Sequence, residues 1–159
     1  MVQPDAAAGR PFRKAATRAA LVIAGLAIAI QFIPYGRDRG PGPAPKPFQW
    51  HAPEAEALAK AACYDCHSNV TRWWWAVKIA PFSWLAQSDI DRGRRHVDFA
   101  AWNGRLTPPR LQRALDRNMP PWYYTPVHPE ARLDERQKQI LVQGLQDSLA
   151  ANASAQAAP

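Results

Sequence analysis

Sixteen prolines in 159 residues limit this chain to short elements joined by stiff connections. Proline interrupts a helix interior and removes a backbone donor from a strand, so it belongs in first helical turns and extended segments. Pro53 fits the first position of a helix; the strong formers EAEALAKAA follow, with Glu54 and Glu56 near the positive end of its dipole. That helix runs directly into Cys63. Pro81 opens a second, in which Phe82, Leu85, Ala86, Ile90 and Gly93 recur at helical spacing. Thr107 can cap a third that begins at Pro108, carries Leu111, Ala114 and Leu115 on one face and ends near Asn118. Asp134 can cap the last, with Gln137 three residues on as in a capping box, and Ile140, Leu141, Gly144, Leu145 and Leu149 form its apolar face. No stretch alternates long enough to read as a strand. The expected fold class is all-α.

From Ala19 to Ile33 no residue is charged, and Gln31 is the one strongly polar residue. As a helix, Ala15 to Tyr35 would reach about 31 Å at ~1.5 Å per residue, enough to cross a hydrocarbon core with Arg18 snorkelling. Arg10, Arg13, Lys14 and Arg18 all lie on one side of the run. The positive-inside rule then keeps the tail 1–14 in the cytoplasm and exports the rest, with 15–35 as an uncleaved single-pass anchor. A cleaved signal peptide is the competing reading, but its small-x-small site, Ala27-Ile28-Ala29, lies inside the apolar run instead of after it. The Pro/Gly-rich segment 36–47 (GRDRGPGPAPKP) reads as an extended linker of up to about 37 Å at ~3.1 Å per residue. From Ala150 the chain is small-residue low complexity, so 150–159 is expected to be a disordered tail. The working domain is then 48–149. Its share of the net charge of +7 reads as solvated surface, and no nucleic-acid partner is expected.

Both cysteines fall within CYDCHSNVTRWWW, residues 63–75. Three chemistries use this spacing. A thioredoxin-type dithiol wants a βαβ setting, for which the chain offers no strands. A zinc corner needs four ligands, and Cys63, Cys66 and His67 supply three within five residues. Cys-x-x-Cys-His needs nothing more to be the attachment signature of a c-type haem. Each thiol adds to a vinyl group as a thioether, and the adjacent imidazole is clamped beside the iron. Attachment follows export, which agrees with the anchor. One covalent haem c is therefore expected, on Cys63 and Cys66, with His67 as an axial ligand.

The second axial ligand of such a haem is methionine or a further histidine. Met119 is the only methionine of the domain, and the two prolines after it favour an extended loop. A core methionine is the commoner fate of the residue, yet the MPP setting favours Met119 as sixth ligand. His96, behind the charged run DRGRR, is the reserve; His128 lies between prolines, and His51 precedes the first helix. Trp73, Trp75, Trp84 and Trp102 can wall a haem crevice or fill a small core. Trp122, Tyr123 and Tyr124 can bond a propionate or the ligand loop. Arg92, Arg94 and Arg95 can pair propionates, face a redox partner or stay solvated.

These residues resemble the small bacterial haem-binding domain proteins, relatives of the cytochromes c. The likeness runs through CYDCHSN, Thr71 with Trp73 and Trp75, IAPFSW, DIDRGRR, Trp102 and MPPWYYTPVHPEARL, about Cys63 to Leu133. It departs at Trp74, where such proteins commonly carry proline. The resemblance implies a covalent haem on Cys63 and Cys66 with His67 as proximal ligand, and it supports Met119 as the distal one. It implies little about physiological role.

The resulting expectation is a membrane-anchored monohaem c-type cytochrome, single-pass in a bacterial inner membrane with its haem domain on the periplasmic side. It would carry single electrons between membrane-bound redox partners, alone or as a subunit of a larger membrane complex, and would not be an enzyme. The rival is a haem sensor or small peroxidase, which needs a displaceable sixth ligand. A cytochrome c-like arrangement also predicts that the helix of Glu54 to Ala62 crosses that of Glu135 to Leu149, with Gly144 near Ala57 or Ala61.

Overall fold

The computed structural model describes residues 9–36, 42 and 44–157. Its elements are helical, as expected: α1 (Gly9–Ala29), α2 (Pro53–Ala62), α3 (Tyr64–His67), α4 (Phe82–His96), α5 (Pro108–Arg117) and α6 (Glu135–Ala157). Single 3-10 turns lie at Ile30–Phe32, Trp75–Lys78 and Pro129–Ala131. No strand occurs among the described residues; Lys46 and Ala101 form an isolated parallel bridge. The chain divides into two compact units, Met1–Asp38 with Trp74–Gln87, and Arg39–Trp73 with Ser88–Pro159.

In the first unit α1 starts at Gly9, ahead of the expected Ala15, because arginine and lysine are themselves good helix formers. The stretch Phe12–Phe32 is long and apolar enough to cross a membrane. Leu21, Val22, Ile23, Leu26 and Ile28 point outward, each at least 60% exposed. Length and composition fit an anchor and an export signal alike. Of the expected cytoplasmic tail, residues 1–8 lie outside the described residues.

In the second unit α2 begins with Pro53 at its first turn and has Cys63 as its C-cap. It crosses α6 closely, and α5 packs on α6 as well. Ala55, Ala59, Leu111, Leu115, Leu141 and Leu145 are buried at the centre of this core. The crossing turns on Gly144, as predicted, but its neighbours are Ala52 and Ala55 instead of Ala57 or Ala61. An added Cβ would overlap that of Ala55 and stand 3.0 Å from that of Ala52. The helices therefore meet one turn nearer the start of α2. Gly144→Leu is expected to overpack this crossing and cost at least about 1–3 kcal/mol; an unchanged urea midpoint would refute the contact.

Asp134 and Gln137 form the expected capping box: the Asp134 amide donates to Gln137 Oε1 (2.9 Å) and the Gln137 amide to Asp134 Oδ1 (2.7 Å). Thr107 precedes α5 but caps it without its side chain; its backbone carbonyl accepts from the amides of Arg110 and Leu111, both at 2.9 Å. Residues 150–157 of the expected disordered tail are helical, α6 continuing to Ala157, and 158–159 lie outside the described residues. Alanine is the best helix former, and the Asn152 side chain fastens the extension, its Nδ2 donating to the Gln49 carbonyl at 2.9 Å. Half of the expected linker, 37–41 and 43, lies outside the described residues, but its end is pinned. Lys46 donates to the Ala100 carbonyl (3.2 Å) and accepts from the Trp102 amide (2.8 Å).

Candidate haem site

α2 ends at Cys63, whose amide closes the last turn on the Ala59 carbonyl at 2.8 Å. The chain then makes one further turn, in which the amides of Cys66 and His67 bond the Cys63 carbonyl at 3.2 and 2.9 Å. This one turn carries both cysteines and the histidine. Burial pushes the Cys63 and Cys66 thiols up to about 12. A dithiol redox catalyst needs the opposite shift. Among the described residues no group of three or more His, Cys, Asp or Glu side chains converges to hold a metal ion, which the zinc reading would require.

His67 is held in one orientation. Its Nδ1 lies 3.0 Å from the Val97 carbonyl oxygen, which can only accept, so Nδ1 carries the proton and Nε2 keeps a lone pair. Burial lowers the His67 pKa, favouring the neutral ring. A tautomer fixed by a backbone carbonyl is how a ligating histidine is prepared for a metal. These residues fit a haem as the chemistry of the donor set demands: two unpaired thiols and one preoriented imidazole.

The end of α4 seats this peptide. The Phe99 amide donates to the His67 carbonyl (2.7 Å), and Arg94 Nε donates to the Ser68 carbonyl (2.9 Å). Gly93 allows the close approach, since a Cβ there would lie 2.5 Å from the Cys66 carbonyl oxygen. Arg94 thus holds backbone, and Arg92 and Arg95 project from the same helix, both exposed. Behind the turn Tyr64 stacks on Phe99 with ring centroids 5.1 Å apart, and its hydroxyl accepts from Trp50 Nε1 at 2.9 Å. Trp102 stacks on the other side of this cluster, 6.0 Å from Phe99. It is therefore a core residue. Trp75, expected as a crevice wall, is 63% exposed in the first unit.

Asp65, between the cysteines, is buried and anchors the loop after Met119. Its carboxylate accepts from the Tyr124 hydroxyl (2.5 Å) and from the Arg72 amide (2.9 Å) and Nε (3.1 Å). Arg72 continues to Glu130 at 2.7 Å. Its pKa is raised, first by the hydrogen bond to Asp65. Burial, then the bond to Asp65, raises that of Tyr124. Tyr123 donates to Asp89 on α4 at 2.9 Å. The two tyrosines thus tie the segment carrying Met119 to the turn of Cys63–His67 and to α4.

Met119 itself follows α5, its amide bonded to the Ala114 carbonyl at 3.0 Å and its side chain 43% exposed. It makes no hydrogen bond to the turn of His67; the tyrosines after it supply the connection. The alternative ligands are placed as follows. His128 stacks on Tyr124 at 4.1 Å and faces Glu130 at 3.4 Å. His51 Nε2 meets Asn152 Oδ1 at 3.1 Å. His96 is exposed at the end of α4.

The chain belongs to the haem-binding domain family, whose model matches residues 25–147. No curated protein and no solved structure matches it.

Proposed function

We propose that the chain is a membrane-anchored monohaem c-type cytochrome that passes single electrons between membrane-bound redox partners. The observation that carries the reading is the seating of His67, whose Nδ1 donates to the Val97 carbonyl and so leaves Nε2 as the unprotonated ring nitrogen. Cys63 and Cys66 hold the haem through thioethers, His67 is its proximal ligand and Met119 its distal one. When bound, the haem supplies a one-electron ferrous–ferric couple. The protein's own work is to fix the imidazole, hold the loop of Met119 through Tyr123 and Tyr124, and exclude water behind the turn with Tyr64, Phe99 and Trp50. The outward apolar side chains of α1 support an anchor in a bacterial inner membrane, and the basic residues before it support a periplasmic haem domain. The anchor would also raise the local concentration of the head near its partners. A larger membrane complex would use the same features.

Redox titration of the purified full chain is expected to follow a reversible one-electron curve without turnover of hydrogen peroxide. Sustained peroxide reduction would move the assignment to a small peroxidase.

A further inference from the structure

In the first unit, the one strongly polar residue of the apolar run is not left in lipid. Gln31 Nε2 donates to the Ala80 carbonyl at 3.0 Å, and the Ala80 amide donates back to Gln31 Oε1 at 3.1 Å. A few residues on, Gly36 has φ +75 and lies against the Ser83 carbonyl, where a Cβ would stand 2.5 Å from the oxygen. The chain around residues 80–83 is thus fastened to the end of the span Phe12–Phe32. Along the same segment Trp74 is 45% exposed, Trp75 63%, Ile79 47%, Phe82 59% and Leu85 51%. Phe32 and Ile33, where the span ends, are 79% and 46% exposed. So dense a set of exposed apolar side chains marks an interaction surface rather than ordinary solvent exposure.

We propose that Trp74–Leu85 is a membrane-interface segment, set at headgroup depth in the bilayer that α1 enters. The inference rests on reading α1 as an uncleaved anchor. Lipid is the occupant because of depth. A spanning helix fixes the bilayer boundary where its apolar run ends, and Gln31 pins residue 80 at that level. Tryptophan is the side chain most at home there, with its ring in the apolar boundary and its N–H toward water. Phe82 and Leu85 open α4 on this surface, which explains why the first half of its periodic face is exposed while Ile90 is buried. Trp75 thereby passes from a haem-crevice wall to a lipid anchor, and the protein holds the membrane at two points instead of one.

The test uses the full haem-loaded chain in phosphatidylcholine–phosphatidylglycerol vesicles, spin-labelled singly through Trp75→Cys, Ile79→Cys or Phe82→Cys. Leu21→Cys serves as the reference within the span and Arg117→Cys as the reference on the second unit. Collision with oxygen relative to a water-soluble nickel chelate reads the depth of each label. Labels at 75, 79 and 82 are expected to favour oxygen severalfold over the label at 117, and to lie shallower than the label at 21. If 21 is shielded while 75, 79 and 82 behave like 117, the anchor stands and the interface segment is refuted, leaving that surface to a protein. If 21 is also open to the chelate, the anchor fails and the inference falls with it.

Discussion

Met119→Ala should convert a closed haem into an open one. In the wild type, thioether ligation is expected to give low-spin ferric iron with the weak far-red band of sulfur-ligated haem. Because the soft sulfur favours ferrous iron, the potential should exceed that of a bis-histidine haem. The variant should lose the band, fall in potential and bind carbon monoxide where the parent binds it poorly. Met119→His should restore a low-spin haem at lower potential. Wild-type protein that is high-spin and takes up carbon monoxide readily would leave Met119 as packing and favour the sensor or peroxidase reading. Low-spin iron without the band would point to a histidine. His96 would then be the first to replace, since His51 and His128 are already engaged with Asn152 and with Tyr124 and Glu130.

The second large effect is expected at Gly93. An added Cβ would lie 2.5 Å from the Cys66 carbonyl oxygen and 3.1 Å from its carbon. Both are backbone atoms, so no flexible side-chain end can give way. Gly93→Ala must therefore push α4 from the attachment turn and disturb the bonds from Phe99 to His67 and from Arg94 to Ser68. Overpacking of about 2 kcal/mol in a domain of this size lowers the melting temperature by roughly 10 °C, and the yield of covalently loaded protein should fall with it. Gly25→Ala is the matched control, since nothing lies within 4 Å of its added Cβ. Equal melting temperatures and loading for the two variants would show that the seat on α4 does not matter.

Local signals were legible in the sequence. Pro53, the capping box of Asp134 and Gln137, and the turn that carries Cys63, Cys66 and His67 all depend on residues within one helical turn of each other. The crossing of α2 and α6 was legible as a need for small residues, but its register was not, because several alanines of α2 satisfy that need equally. What escaped was contact across long separations. The acceptor of His67 lies on Val97, and the partner of Asp65 is Tyr124, 59 positions away; no periodicity or spacing encodes such pairs. Gly93 was visible only as one member of a helical face, because its importance comes from the backbone placed against it. Gln31 looked like a polar exception in an apolar run until the Ala80 backbone supplied its partner. The helical continuation past Ala150 was hidden for a different reason. Low complexity in alanine suits disorder and helix alike, and alanine favours helix once a helix already leads into it.

The most direct measurement is the intact mass of the full chain under denaturing conditions, after export in a host that matures c-type haem. The account predicts the mass of the polypeptide plus one haem, retained through denaturation, and the bare polypeptide for the Cys63→Ala, Cys66→Ala double variant. A bare wild-type chain whose haem dissociates on denaturation, or one that carries zinc and no Soret absorbance, would contradict it.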